Sequence, residues 1–167
     1  MTLSRVPISR GGFEKLRKEL DHLIRTERPK AIKAIELARG HGDLTDNAEY
    51  DVAREHQSFL EGKIKDLKEK LSGCQVVDYP TVAPARITFG ARVSVEDLST
   101  REQFTYELVG PYESDLKRGL VSVTSPLGRG LIGKGEGEQI QIETPGGIRE
   151  IQVLEIGIRS QEKGSDL

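Results

Sequence analysis

The chain has 167 residues, 31% of them charged and 35% apolar, with no Trp and a single Cys, and its 25 basic and 27 acidic residues leave a net charge of −2. The lone Cys74 excludes an internal disulfide and suits a reducing cytosol. No run of about 18 apolar residues is present, and the opening MTLSRVPISRGG lacks the apolar stretch of a signal peptide, so secreted and membrane classes are set aside. A near-neutral balance also argues against a protein that mainly wraps DNA, which is clearly basic. The low apolar fraction points to an elongated part with much surface per residue. Residues 1–75 carry 15 basic and 13 acidic groups and residues 76–167 carry 10 and 14, so the balance moves from +2 to −4 where the texture of the chain also changes. Two domains are expected: 1–76, a linker 77–86, and 87–160, with a loose tail 161–167.

Residues 13–38 place Phe13, Leu16, Leu20, Leu23, Ile24, Ile32 and Ile35 at the spacing of an amphipathic helix, with Ser9, Gly11 and Gly12 at its start. Pro29 interrupts the pattern, and the stripe resumes shifted as Ile32, Ile35 and Ala38, which predicts a kink or short break. A second run is cleaner: Ala53, Gln57, Leu60, Ile64, Leu67 and Leu71 alternate steps of four and three, a heptad seam with one polar member. Two such rods of about 39 Å each, joined by a short turn, fold back as an antiparallel coiled-coil hairpin. Lys15, Arg17, Lys18, Arg25, Lys33, Lys63, Lys65, Lys68 and Lys70 occupy the other faces.

Between the rods lies Arg39-Gly40-His41-Gly42-Asp43-Leu44-Thr45-Asp46-Asn47-Ala48-Glu49-Tyr50-Asp51. Gly40 and Gly42 are expected to end the first helix in the left-handed conformation, and Asp43, Thr45 or Asp46 to cap the second. Four acids and no base fall between Asp43 and Asp51. Acids at a helix N-terminus meet its dipole favourably, by about 0.3–1 kcal/mol each, and that alone accounts for part of the cluster. It leaves unexplained why carboxylates stand at the far end of a rod flanked by cations, an arrangement suited to reaching into something that holds metal and nucleic acid.

The second half reads as strands at 92–96, 104–109, 120–123, 139–143 and 148–156, with Thr144-Pro145-Gly146-Gly147 as a tight hairpin connection. Ser125 followed by Pro126 starts a short helix. The fold class expected is α+β: a long helical hairpin, then a small antiparallel β domain with one short helix. Gly128–Gly133 spells G-x-G-x-x-G but lacks the parallel strand–helix–strand unit that a dinucleotide site requires. His22, His41 and His56 are scattered and no Cys/His set has zinc spacing.

Ala38-Arg39-Gly40-His41-Gly42-Asp43-Leu44 followed by Asn47-Ala48-Glu49-Tyr50 resembles the tip signature of the Gre family of bacterial transcript-cleavage factors. The resemblance continues through Ala53-Arg54-Glu55, Ile87-Thr88-Phe89-Gly90-Ala91, Ser125-Pro126-Leu127, Arg129-Gly130-Leu131-Ile132-Gly133-Lys134 and Thr144-Pro145-Gly146-Gly147, spanning roughly residues 8–157. It implies a C-terminal domain like the FK506-binding fold that grips bacterial RNA polymerase, and a hairpin inserted into the polymerase secondary channel. There the factor stimulates the polymerase's own cleavage of backtracked RNA, with no complete active site of its own. By the same resemblance Asp43 helps hold a weakly bound Mg²⁺ shared with the polymerase, and Asp46 positions or deprotonates the attacking water. Two carboxylates are too few for a firm free-standing Mg²⁺ site, so no cofactor is expected on the chain alone.

Tyr50, Asn47, Arg39 and Arg54 are the implied contacts to the RNA 3′ end, and Ser125, Pro126, Leu127 and Asp115 those to the polymerase. Read on composition, each basic residue is first a solvated helix-face charge, and Pro126 a helix starter. The family's second tip acid is normally Glu; Asp46 here retracts the carboxylate by one methylene, and a misplacement of about 1 Å in a positioned reaction costs roughly 100-fold. Some relatives enter the same channel and inhibit, which is the second reading. A prolyl isomerase and a coiled-coil adaptor are the alternatives of other classes. The remaining expectations are a cytoplasmic monomer, no membrane contact, and DNA contact weak or indirect.

Overall fold

The computed structural model describes residues 5–40 and 47–159. The chain divides into two compact units, one running from Phe13 to Cys74 and the other joining the residues up to Gly12 with those from Gln75 onward. Residues 5–12 therefore go with the strands, whereas the sequence reading placed 1–76 together.

The helical unit contains α1 (Arg10–His22), a π-helical turn (Leu23–Glu27), α2 (Arg28–Arg39) and α3 (Ala48–Gly73). Pro29 has no N–H to give and its ring collides with the carbonyl four residues back, inside an ordinary α-helix. The π turn immediately ahead of it takes up one extra residue, and the helix continues. The predicted break is thus a register shift. The shift also corrects the seam: Ala31 and Ala38 are buried with Ile35 partly so, while Ile32 is 43% exposed. On α3 the seam is as expected, with Leu60, Ile64 and Leu67 buried and Ala53, Gln57 and Leu71 partly covered. Ala31, Leu60 and Ile64 pack with Leu20, Leu23 and Ile24. Arg28 clamps Glu61 across the hairpin through Nε–Oε1 at 2.8 Å and Nη2–Oε2 at 2.9 Å. Ile64 is 1% exposed. Ile64→Ala is therefore expected to cost about 3 kcal/mol in urea unfolding followed by helical circular dichroism.

In the other unit, β1 (Val6–Ile8) pairs with β2 (Cys74–Val76), two short strands that the sequence pattern did not reveal. The main sheet has the order β5-β4-β3-β7-β6, built from β3 (Ala91–Asp97), β4 (Gln103–Val109), β5 (Leu120–Ser122), β6 (Gln139–Thr144) and β7 (Gly147–Ile158). Its pairings are antiparallel except β4–β5, which is parallel, so the expected antiparallel sheet is mixed at that edge. A short 3₁₀ turn (Leu116–Arg118) inside the β4–β5 connection lets the chain re-enter in the same direction. β7 carries a bulge opposite Ser94 and Val95. The extra residue keeps Val153 and Ile156, three apart, on the same inner face. Helix α4 (Pro126–Leu131) covers that face, with Leu131 entering a core of Val93, Val95, Leu108, Val121, Ile140 and Val153.

Ser9 begins α1 as expected, and its hydroxyl accepts from Gly12 N–H at 3.0 Å. It is also what binds the N-terminal residues to the sheet unit. The Glu113 carboxylate accepts from the Ser9 N–H at 3.1 Å, from the Ser9 hydroxyl, and from Gly110 N–H at 3.3 Å. The 77–86 stretch is held as well: Tyr79 stacks on Phe89 at 5.8 Å and accepts from Arg159 Nη1 at 2.6 Å.

Candidate functional site

At the turn end of the hairpin, Asn47 joins the two helices. Its side-chain oxygen accepts from Tyr50 N–H at 3.1 Å, capping α3, and its amide donates to the Ala38 carbonyl of α2 at 2.6 Å. Asn47 thus takes the cap role that the sequence reading offered to Asp43, Thr45 or Asp46, its side chain meeting both the first turn of α3 and the Ala38 carbonyl of α2. Gly40 ends α2 with φ −72° and ψ −13°, a right-handed conformation rather than the left-handed one anticipated. Asp43 and Asp46, with His41 and Gly42, lie outside the described residues.

One helical turn past the cap, Tyr50 is flanked by two guanidiniums, Arg39 from α2 and Arg54 from α3, each 5.8 Å from the ring centre. The spacing of Tyr50 and Arg54 by four residues puts both on one helix face, and the hairpin brings Arg39 from the other helix to the same ring. A hydrogen bond from Arg39, followed by the positive charges of Arg39 and Arg54, holds the Tyr50 phenol below its ordinary range. All four residues singled out for nucleic-acid contact therefore converge. In an ultraviolet titration Tyr50 is expected to ionise earlier than a free phenol, and Arg39→Gln to return it toward the ordinary value.

The second feature is a pocket of about 420 Å³ between α4 and the inner face of the sheet. Ser125, Pro126 and Leu127 line it together with Tyr106, Leu116, Leu120, Ile142 and Arg149. Asp115 is exposed between two lining residues, Ser114 and Leu116, and its backbone bridges to Leu120 through two 2.9 Å hydrogen bonds. Ser125 caps α4 by accepting from Gly128 N–H at 3.0 Å and donates its hydroxyl to the Ser122 carbonyl at 2.6 Å, with Pro126 at the first helical position. Leu116, 68% exposed, extends the apolar wall outward. Leu116, Tyr106 and Arg149 were not among the sequence candidates. Arg149 alone left a trace, as a charge two residues from Ile151 in an otherwise apolar alternation.

Fold and sites together describe a two-part α+β protein, one part presenting a cation-flanked aromatic at a helical tip and the other a largely apolar pocket. Among the described residues no helix is long and apolar enough to cross a membrane. The family description "Transcription elongation factor, N-terminal" matches residues 6–76, and "Transcription elongation factor, GreA/GreB, C-term" matches 82–158. The transcription elongation factor GreA of Syntrophobacter fumaroxidans is 52% identical over 92% of this chain and 99% of its own length. That of Syntrophus aciditrophicus is 48% identical over 96% and 99%. Among solved structures, GreA factor homolog 1 of Thermus thermophilus is 25% identical over 91% of this chain and 98% of its own, with a TM-score of 0.42. The chain belongs to the GreA/GreB family of transcription elongation factors.

Proposed function

We propose that the chain acts on bacterial RNA polymerase, docking through the α4 pocket and inserting its hairpin into the secondary channel. There it stimulates the polymerase's own hydrolysis of the nascent RNA in backtracked complexes. The observation that carries this reading is the Arg39–Tyr50–Arg54 cluster, stapled by Asn47 directly beside the segment that bears Asp43 and Asp46. Two guanidiniums at a tyrosine face suit an RNA 3′ end, with phosphate held by the arginines and a base or ribose against the ring.

No group of three or more His, Cys, Asp or Glu among the described residues is placed to hold a metal. On the family resemblance, the carboxylates of Asp43 and Asp46 are the chain's share of an ion completed by polymerase and phosphate. Bound Mg²⁺ would supply charge to the phosphodiester and acidity to water. Asp43 contributes a ligand there, and Asp46 orients the attacking water or takes its proton. The chain is on this reading a polymerase cofactor and not an enzyme in its own right. Its contact with DNA is weak or indirect.

The pocket of the sheet unit disfavours the prolyl-isomerase alternative, since Tyr106 is the single aromatic among its described lining. A peptide isomerisation assay is expected to show no rate increase. A simple adaptor would leave the tip acids idle. The deciding experiment is RNA cleavage by a backtracked polymerase complex with Mg²⁺, with and without the chain. Faster cleavage supports the reading. Tight binding without faster cleavage gives the inhibitory relative, and absence of binding rejects the polymerase reading altogether.

A further inference from the structure

We propose that Arg149, anchored by Asp97 on the inner face of the sheet, is a recognition residue that receives a carboxylate of the docking partner at the mouth of the α4 pocket. The inference deepens the docking reading above and rests on it.

Strand alternation shows that both residues are out of place by pattern. Val93, Val95 and Asp97 share one face of β3, the first two fully buried and Asp97 2% exposed. Asp97 pairs with Ile151 of β7, and Arg149 lies two residues before Ile151, on the same face and opposite Ile142 of β6. An apolar pair is what this register calls for, and a buried or half-buried ion pair gives no general gain in stability over one. The β3–β4 turn explains only half of Asp97. Its Oδ1 accepts from Ser99 N–H at 2.9 Å and Thr100 N–H at 3.4 Å, a task that Asn or Ser also performs. Its Oδ2 is turned to Arg149 Nη1 at 3.6 Å.

Arg149 carries five N–H donors in a rigid fork and is 55% exposed. Asp97 is its one described partner, so most of the fork faces the pocket mouth unengaged. Beside it the Tyr106 hydroxyl donates to no described residue, and burial, with a smaller push from the Asp97 charge, raises that phenol above its ordinary range against the opposing charge of Arg149. Two carboxylates stand near the mouth, Glu143 at an exposed position of β6 after the inward-facing Ile142, and Asp115, exposed between Ser114 and Leu116; on the inner face of the sheet the polar groups that line the mouth are the donors Arg149 and Tyr106. The mouth thus offers donors against an apolar wall of Leu116, Leu120, Leu127 and Ile142. The complementary occupant is a protein segment carrying an aliphatic side chain next to an Asp or Glu, with the carboxylate on Arg149 and an acceptor on Tyr106.

The test measures binding of the full-length chain to purified bacterial RNA polymerase between low and physiological salt, for wild type, Arg149→Gln, Arg149→Lys and Leu127→Ser. Arg149→Gln is expected to weaken binding about tenfold at low salt and to flatten its salt dependence, with Arg149→Lys intermediate. Leu127→Ser is expected to weaken binding with the wild-type salt dependence. A merely structural ion pair would move stability but not the salt dependence. Should Arg149→Gln unfold, the double variant Asp97→Asn/Arg149→Met removes both charges and must show the same flattening. If the Arg149 variants keep the wild-type affinity and salt dependence while Leu127→Ser weakens binding, this inference falls and the docking reading stands. If the wild type does not bind polymerase, both fall.

Discussion

Asp43→Ala and Asp46→Ala are each expected to slow stimulated RNA cleavage by about 100-fold or more while leaving polymerase affinity within about twofold. The asymmetry follows from where the binding energy lies. On the proposed function, affinity would come from the shaft and the apolar α4 pocket and the tip acids would act only on the reacting phosphodiester, so their loss would appear in the rate. Single-turnover cleavage of 3′-labelled RNA beside an equilibrium binding measurement separates the two. If Asp43 is a ligand to a weakly held cation, excess Mg²⁺ should partly restore Asp43→Ala, because mass action replaces lost affinity. Asp46→Ala lacks the group that handles the water and should stay slow at any Mg²⁺ concentration. Asp46→Glu lengthens the reach by one methylene and tests whether the shorter acid limits this chain. A faster variant would show that it does. If Asp43→Ala and Asp46→Ala both cleave at the wild-type rate, the tip mechanism is wrong.

Gly128→Ala is expected to destabilise the sheet unit by about 3 kcal/mol or more and to lower its melting temperature by roughly 10 °C or more. A Cβ at Gly128 would stand 1.9 Å from the Ser122 carbonyl oxygen, 2.8 Å from its carbon and 3.0 Å from Val123 Cα. All three are backbone atoms at the end of β5, so no side chain can rotate aside. α4 would have to lift by on the order of 1 Å, drawing Leu131 from a site where it is fully buried and breaking the Ser125 cap. Since Ser125, Pro126 and Leu127 ride on that helix, polymerase affinity should fall with stability. Gly130→Ala is the control. Its Cβ would meet the Ile140 Cδ1 at 3.4 Å, the far end of a flexible side chain, and a helical Ala is favoured over Gly by about 0.5–1 kcal/mol. Thermal unfolding should separate the two glycines although they are two residues apart on one short helix.

Both contrasts turn on which information is local. The α3 seam, the Ser125–Pro126 helix start and the inward alternation of Val93 and Val95 were legible because periodicity and capping chemistry are encoded within a few residues of where they act. The family signature likewise placed Arg39, Asn47, Tyr50 and Arg54 at one site, and the hairpin brings them together. Tertiary structure decided whatever depends on two distant segments meeting. Pro29 announced a disturbance, but whether it became a kink, a gap or a π turn was set by the need to keep Ala31 facing Leu60 and Ile64. Asn47 caps α3 while its amide also reaches the Ala38 carbonyl of the other helix, a second contact that only the folded hairpin supplies. Residues 6–12 joined the sheet unit because Glu113, a hundred positions away, collects three donors from Ser9 and Gly110. Asp97 and Arg149, 52 positions apart, became one ion pair only when β3 and β7 paired, which no spacing along the chain could announce.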